Sequence, residues 1–246
     1  MYKKAVLFDL DGTLVPMDND EFTNAYVKAL SESASKWGYN TEEIIRALWK
    51  GTGAMVTNDG SRTNFSVFWD TFKQFITGKS SEQINDDTAL FDSFYASGFH
   101  KTKACTRPNP LAPAAVAAAS SGDSMVILAT NPIFPGVGIE SRLGWIGMSR
   151  EDFDYVTTYE NSCFCKPNPK YYLEIMGKTG LEPSDCIMIG NDLDEDILPC
   201  LSLGMDAILI TDFLINKQDK PLDNIRTCTF KELPSLLEAM QAGRPF

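Results

Sequence analysis

Four short apolar runs, each cut off by a polar cluster, constrain this chain more than any other feature. Lys4-Ala-Val-Leu-Phe8 leads into Asp9-Leu10-Asp11-Gly12-Thr13, and Met125-Val-Ile-Leu-Ala129 leads into Thr130-Asn131-Pro132. Cys186-Ile-Met-Ile189 stops at Gly190-Asn191-Asp192, Ala207-Ile-Leu-Ile210 stops at Thr211-Asp212, and Tyr155-Val-Thr157 is a weaker fifth run. None of them alternates polar with apolar residues. Continuous apolar strands belong to a parallel sheet covered on both faces. Between them lie helical patterns at Pro113–Ser120, at Pro169–Lys178 with Gly180 as a stop, and at Asp196–Ser202 before Gly204. Strand–helix–strand repeats of this kind predict an α/β fold, a doubly wound, Rossmann-like parallel sheet. Each polar cluster follows the carboxyl end of its strand, the edge where such sheets bind ligands.

Residues 16 to 99 follow another rule. Asp20–Lys36, Glu42–Lys50, Asn64–Ile76 and Glu82–Tyr95 all carry helical periodicity, and no strand interrupts them. Phe65, Phe68, Trp69 and Phe72 recur at helical spacing and are expected to be core rather than a stacking surface. The expected organisation is a core domain from residues 1–15 and 100–246, with a smaller all-helical domain, 16–99, inserted after the first strand.

Composition narrows the class. The chain has 246 residues and a formal net charge of −11, which argues against nucleic acid as a partner. No run approaches the roughly 18 apolar residues of a membrane span. The first apolar stretch ends at Asp9, too soon for a secretory signal, so a cytoplasmic location is expected. Six cysteines are too few for a disulfide scaffold, and Cys163-x-Cys165 lacks a second pair at zinc-site spacing. No exposed apolar stripe demands a partner copy, so a monomer is plausible.

The chemistry gathers at the strand ends. Asp9 and Asp11 stand two residues apart, and Gly12 lets the chain turn sharply away from the strand. Thr130 adds a hydroxyl, Lys166 a cation, and Asp192 with Asp196 two more carboxylates. Carboxylates, a hydroxyl, a lysine and a bound cation are what phosphoryl transfer requires. Hard oxygen ligands suit Mg²⁺, which keeps waters and binds through one or two carboxylates.

Asp9-Leu-Asp-Gly-Thr13, Thr130-Asn131, Lys166-Pro167 and the Gly190–Ile197 segment resemble, in that order, the four motifs of the haloacid dehalogenase-like superfamily. One departure is Asn191, which separates Gly190 from Asp192 where many members have glycine directly before the aspartate. The resemblance implies a phosphatase-type hydrolase with a helical cap after the first motif. It implies Asp9 as nucleophile, Asp11 as general acid and then base, and Thr130 and Lys166 as phosphate-binding and charge-neutralising groups. Asn131 would touch phosphate or cap the following turn. Mg²⁺ would be held by Asp9, the Asp11 backbone carbonyl and Asp192, with Asp196 behind them. The implied substrate is a small phosphorylated metabolite. In the polar stretch 56–64, either Asn58, Arg62 or Asn64 reaches the substrate or the stretch is a plain solvated loop.

Other readings fit less well. A dehalogenase needs no carboxylate at Asp11. A phosphonate hydrolase needs a cap lysine, and nothing singles out Lys28, Lys36 or Lys50. A sugar-phosphate mutase shares all four motifs, and a non-catalytic phosphate-binding protein on this fold would keep the pocket without turnover. Asp194 and Glu195 are expected to be solvated, Asp212 to be a turn residue, and His100 to be structural. Gly78-Lys79-Ser80 lacks the earlier glycine of a P-loop, since position 73 is Lys73.

Overall fold

A computed structural model describes residues 2–244; residues 1, 245 and 246, assigned to the core from the sequence, lie outside the described residues. Among the described residues there are six parallel strands: β1 (Ala5–Phe8), β2 (Met125–Leu128), β3 (Tyr155–Val156), β4 (Cys186–Gly190), β5 (Asp206–Ile210) and β6 (Thr227–Cys228). They pair in the order β3-β2-β1-β4-β5-β6, so β1 is central and reverses the winding direction. Phe8 stands opposite Leu128 on one side and Ile189 on the other. Asp9 is therefore level with Ala129 and Gly190, and Thr130 and Asn191 follow one residue further on at the same edge.

The continuous apolar runs exist because both faces are covered. Val6, Phe8, Leu128, Ile187 and Ile189 point to one face, and Leu7, Ile127, Ala129, Met188 and Leu209 to the other. Helices α1 (Asn19–Lys36), α2 (Thr41–Val56), α3 (Asn64–Lys73), α4 (Ser81–Asp86) and α5 (Thr88–Tyr95) follow β1. The remaining helices are α6 (Ala112–Ala119), α7 (Gly136–Trp145), α8 (Pro169–Thr179), α9 (Leu198–Ser202) and α10 (Leu233–Gln241). Tyr171, Tyr172, Ile175 and Met176 of α8 and Cys200 of α9 fill the second face, while α6, α7 and α10 contribute to the first. Among the described residues, no helix is long and apolar enough to cross a membrane.

Helices alone fill the chain between β1 and β2, and their boundaries differ from the expected ones. Asp18, Asn40, Thr63 and Ser80 cap the first four of them with side-chain oxygens, so these helices start within two residues of the expected points. Helix α2 runs past Lys50 to Val56 because Gly51 is not a stop; a Cβ there would lie 2.7 Å from the Phe68 ring, so the glycine admits α3. The expected single helix 82–95 breaks at Asp87, whose carboxylate takes the Tyr39 hydroxyl (2.8 Å) and pairs with Lys79. A 3₁₀ segment, Gly98–Cys105, extends the helical run beyond residue 99. The two connections to the core lie side by side, with Met17 bridging Thr106 and the Arg107 amide donating to the Pro16 carbonyl (2.9 Å).

An aromatic seam joins insertion and core. Phe99 is fully buried and contacts Phe22, Tyr26, Tyr95, Phe134 and Trp145 at ring-centroid distances of 5.0–6.4 Å. Truncating such a ring removes both burial and packing, typically about 3–5 kcal/mol. Phe99→Ala is expected to lower the urea-denaturation stability by that order; a loss below about 1 kcal/mol would show that the seam does not hold the two parts together.

Candidate active site

Asp9 leaves β1 with its amide donating to the Ile189 carbonyl (2.9 Å), which fixes the backbone before the turn. That turn is tight: Gly12 has φ +86°, and a Cβ on it would lie 2.3 Å from the Asn191 amide nitrogen. Only glycine fits both demands. Lys166 arrives from the loop between β3 and α8, 1% exposed, and its ammonium donates to Asp9 (2.8 Å) and to Asp196 (2.6 Å). Burial works against the Lys166 charge, but Asp196 and Asp9 outweigh it and hold the ammonium well above its ordinary pKa.

Asp196 reaches this position through a π-type turn, Leu193–Ile197, rather than the regular helix expected from residue 196. Such turns insert an extra residue into the winding and cluster at functional sites. The Asp196 carboxylate also accepts the Asp192 amide (3.0 Å) and lies over Gly190, where a Cβ would be 2.2 Å from it. Helix α8 holds two of the site loops by adjacent tyrosines. The Tyr171 hydroxyl donates to the Thr130 carbonyl (2.9 Å), and the Tyr172 hydroxyl to the Glu195 carbonyl (2.8 Å).

These loops enclose an open cavity of about 520 Å³. Its inner end is lined by Asp9, Asp11, Thr130, Asn131, Asp192, Glu195 and Asp196. Its outer part is lined by Asp18, Asn19, Asp20, Phe22 and Thr23 at the start of the insertion, by Ile133 and Phe134, and by residues 213–217 after β5. The fold thus brings together all seven residues singled out by the motifs, with Lys166 directly behind the cavity wall. Asp212 is a turn residue, accepting the Phe230 amide (2.8 Å). His100 accepts the Trp145 indole (3.0 Å) and lines no part of the cavity.

Three expectations need correction. Asn58, Arg62 and Asn64 do not line the cavity. The Asn58 amide donates to the Asn64 side chain (2.9 Å), and the Asn64 amide reaches the Pro132 carbonyl (3.2 Å) and Cys165 (3.2 Å), so the polar stretch pins the insertion to the core. Arg62 pairs with Asp70 at 2.6 Å, with its side chain 53% exposed. Glu195 is not a solvated flank: it lines the cavity and accepts the Asn131 amide (3.0 Å). Asp194 is paired too, with Lys220.

Asn191, the departure from the motif, has a structural task. Its carbonyl oxygen accepts the Thr13 hydroxyl (3.0 Å) and its amide donates to the Phe213 carbonyl (2.6 Å). It ties the first turn, the β4 turn and the loop after β5 into one unit.

The residue that the sequence motifs missed is Arg142. It stands on α7, fully buried, and its guanidinium pairs with the Asp11 carboxylate. A signal existed: the helical period puts Arg142 on the same face as Ile139, Leu143 and Ile146, all buried, and a charge on an apolar stripe needs a partner.

Electrostatically the inner cavity is short of positive charge. Among the described residues, Asp9, Asp11, Asp192, Glu195 and Asp196 are met by two buried cations, Lys166 and Arg142, and by the exposed Lys217 at the rim. Burial pushes the carboxyls of Asp11, Asp192, Glu195 and Asp196 above their ordinary values. Arg142 opposes this at Asp11, backbone amides do so at Asp192, and Lys166 does so at Glu195 and Asp196. Among the described residues, no three acidic, histidine or cysteine side chains form a ready-made metal cage. The donor chemistry still suits a hard divalent cation, which binds through one or two carboxylates, a carbonyl and waters. Asp192 shares one carboxylate oxygen between the amides of Asp194 (2.8 Å) and Glu195 (2.9 Å), leaving the other for such a role.

Residues 3–204 match the model of the haloacid dehalogenase-like hydrolase family, and the chain belongs to it as a hydrolase. It is 24% identical over 212 residues to the glyceraldehyde 3-phosphate phosphatase of Methanopyrus kandleri, covering 84% of this chain and 83% of that protein. The enzyme of the same name from Methanothermobacter thermautotrophicus is 40% identical over 58 residues, which span 24% of this chain and about a quarter (26%) of that relative. The fold is shared with a HAD phosphatase from Thermococcus onnurineus, with a TM-score of 0.55 and 22% identity over 95% of this chain and 97% of that one. It is also shared with a 2-haloacid dehalogenase from Pseudomonas syringae pv. Tomato, with a TM-score of 0.57 and 21% identity over 96% and 98% of the two chains.

Because burial raises the site carboxyls, cation binding must draw off any protons they hold. Divalent-cation affinity measured calorimetrically is expected to fall as the pH is lowered from about 7.5 to about 5.5, with proton release growing over the same range. Affinity independent of pH would mean that the site carboxylates do not hold the ion.

Proposed function

We propose that this hydrolase is a Mg²⁺-dependent phosphatase of small phosphorylated metabolites, working through an aspartyl-phosphate on Asp9. The observation that carries the reading is the Asp9 carboxylate fixed by Lys166 at 2.8 Å in a cavity that also holds Asp11, two residues on. The phosphatase names of the relatives support it. The cavity volume, about 520 Å³, suits a metabolite-sized ligand.

In the first half-reaction an Asp9 oxygen attacks phosphorus, and the bond from phosphorus to the leaving oxygen breaks. Asp11 gives its proton to that oxygen. In the second, water attacks the phosphorus of the aspartyl-phosphate, its proton passes to the Asp11 carboxylate, and the bond to Asp9 breaks to release inorganic phosphate. Lys166 stays protonated and offsets charge on Asp9 and on the transferring group. Thr130 would donate to a phosphoryl oxygen, and Asn131, whose amide donates to Glu195, would border the phosphate beside it. Mg²⁺ would be held by Asp9, the Asp11 carbonyl and Asp192, and would neutralise charge developing on the phosphoryl oxygens. The insertion acts as a cap, since α1 closes one side of the cavity with Asn19, Phe22 and Thr23.

The test is phosphate release from a panel of phosphorylated metabolites, with Mg²⁺ and with EDTA. Release that depends on the metal is expected; silence across the panel would move the site to a mutase or a binding role. Asp9→Asn is expected to abolish turnover with an unchanged circular dichroism spectrum, and residual wild-type turnover would remove Asp9 from the mechanism. Asp11→Asn is expected to cost about 10²–10⁴-fold in kcat, the usual worth of acid–base work. Arg62→Ala is expected to leave kcat/KM unchanged, because Arg62 lies outside the cavity.

A further inference from the structure

We propose that Arg142 is a positioning residue for Asp11, tying the orientation of this carboxylate to the seat of the helical insertion; the proposal rests on the phosphatase reading above. Arg142 is 0% exposed and carries the one guanidinium buried against the cavity wall among the described residues. Burying this charge in an apolar layer is unfavourable, and a buried ion pair is often no more stabilising than well-packed apolar residues. The pair therefore calls for an explanation other than stability.

Its geometry is one-sided. One guanidinium nitrogen, Nη1, donates to Asp11 Oδ2, while Nε donates to the Gly138 carbonyl (3.2 Å). The second terminal nitrogen, Nη2, and the second Asp11 oxygen, Oδ1, are both buried without a hydrogen-bond partner. Arginine–carboxylate pairs frequently engage both oxygens as a fork, the geometry with the greater energy and specificity. Here Asp11 is held at a single oxygen, beside a cavity it borders, by a group aimed from elsewhere.

What aims the guanidinium is the seat of the insertion. Its plane lies over the Phe134 ring, 4.3 Å from the centroid. Phe134 in turn packs against Tyr26 of α1 at 5.2 Å. The Tyr26 and Tyr95 hydroxyls are 3.1 Å apart, and Tyr95 rests on α7 itself. A Cβ on Gly138 would be 2.8 Å from the Tyr95 ring, and the Ser141 hydroxyl donates to the Tyr95 carbonyl (3.1 Å). The insertion thus sits directly on the helix and the ring that orient Arg142. Asp11 is within one contact of that seat.

The test separates positioning from packing by using the chemistry of the leaving group. A primary alkoxide needs the Asp11 proton to depart, whereas 4-nitrophenolate does not. In single-turnover experiments with enzyme in excess, Arg142→Gln is expected to slow cleavage of the best primary alkyl phosphate from the release screen by about 10²-fold. It is expected to leave cleavage of 4-nitrophenyl phosphate within about threefold of wild type. The steady-state double variant with Asp11→Asn is expected to be no slower than Asp11→Asn alone, within about threefold, because residues acting as a unit are not additive.

Equal losses on both substrates, or additive losses in the double variant, would overturn the proposal. Should glutamine unfold the chain, Arg142→Lys carries the same comparison. It keeps the charge without the planar fork stacked on Phe134, and is to show the same one-sided loss. Wild-type rates in Arg142→Lys on both substrates would overturn the proposal as well. A wild-type protein that cleaves neither substrate removes the phosphatase reading itself, and this proposal with it.

Discussion

The contact on which the site depends is the Lys166 ammonium buried between two carboxylates. None of the three groups tolerates burial alone, and removing one partner leaves an uncompensated charge rather than a missing contact. Asp9 comes from the end of β1, Lys166 from the loop after β3, and Asp196 from the turn after β4. Three distant segments must therefore meet within hydrogen-bond distance before the sheet can close over them. The strand order satisfies this by placing β1 next to β4, whose end carries Asp196, with β3, which leads into the Lys166 loop, one strand away beyond β2. The adjacent tyrosines of α8 then fix the loops after β2 and β4, so the helix that follows the lysine also positions what the lysine meets.

A second constraint runs through Asn191. Its side chain fills the space that Gly12 leaves open and links Thr13 to the backbone of Phe213. The Ile215 backbone pairs with this same segment, its amide on the Asn191 carbonyl (2.8 Å) and its carbonyl taking the Leu193 amide (3.0 Å). The turn after Asp9, the acidic turn and the cavity wall are thus one hydrogen-bonded body. Asn191 is what makes the link.

The sheet and the polar residues gathered at its carboxyl edge were legible because strand ends are local signals. An apolar run that stops at Asp9, Thr130 or Asp192 announces both the strand and the residue at its edge. Strand β6 and helix α10 escaped notice, since Thr227–Cys228 is two residues long and too short to show a pattern. Arg142 and Glu195 escaped for another reason. Their roles are set by partners far away in the chain, Asp11 being 131 positions from Arg142 and Asn131 being 64 from Glu195. The polar stretch with Asn58 and Asn64 misled in the opposite sense. Its amides were recognisable as groups needing partners, but composition does not say whether those partners are ligand or protein.

The wall formed by residues 213–217 lies beyond Gly204, where the match to the family model ends. Asp9, Asp11, Thr130, Lys166, Asp192 and Asp196 lie within the matched stretch, and this part of the cavity wall lies outside it. Replacements in the loop after β5 can reshape the cavity while Asp9, Asp11, Lys166 and Asp196 stay in place. The tether is Asn191: its hydrogen bond reaches the backbone carbonyl of Phe213, not its side chain, so the loop can exchange its side chains without losing its anchor.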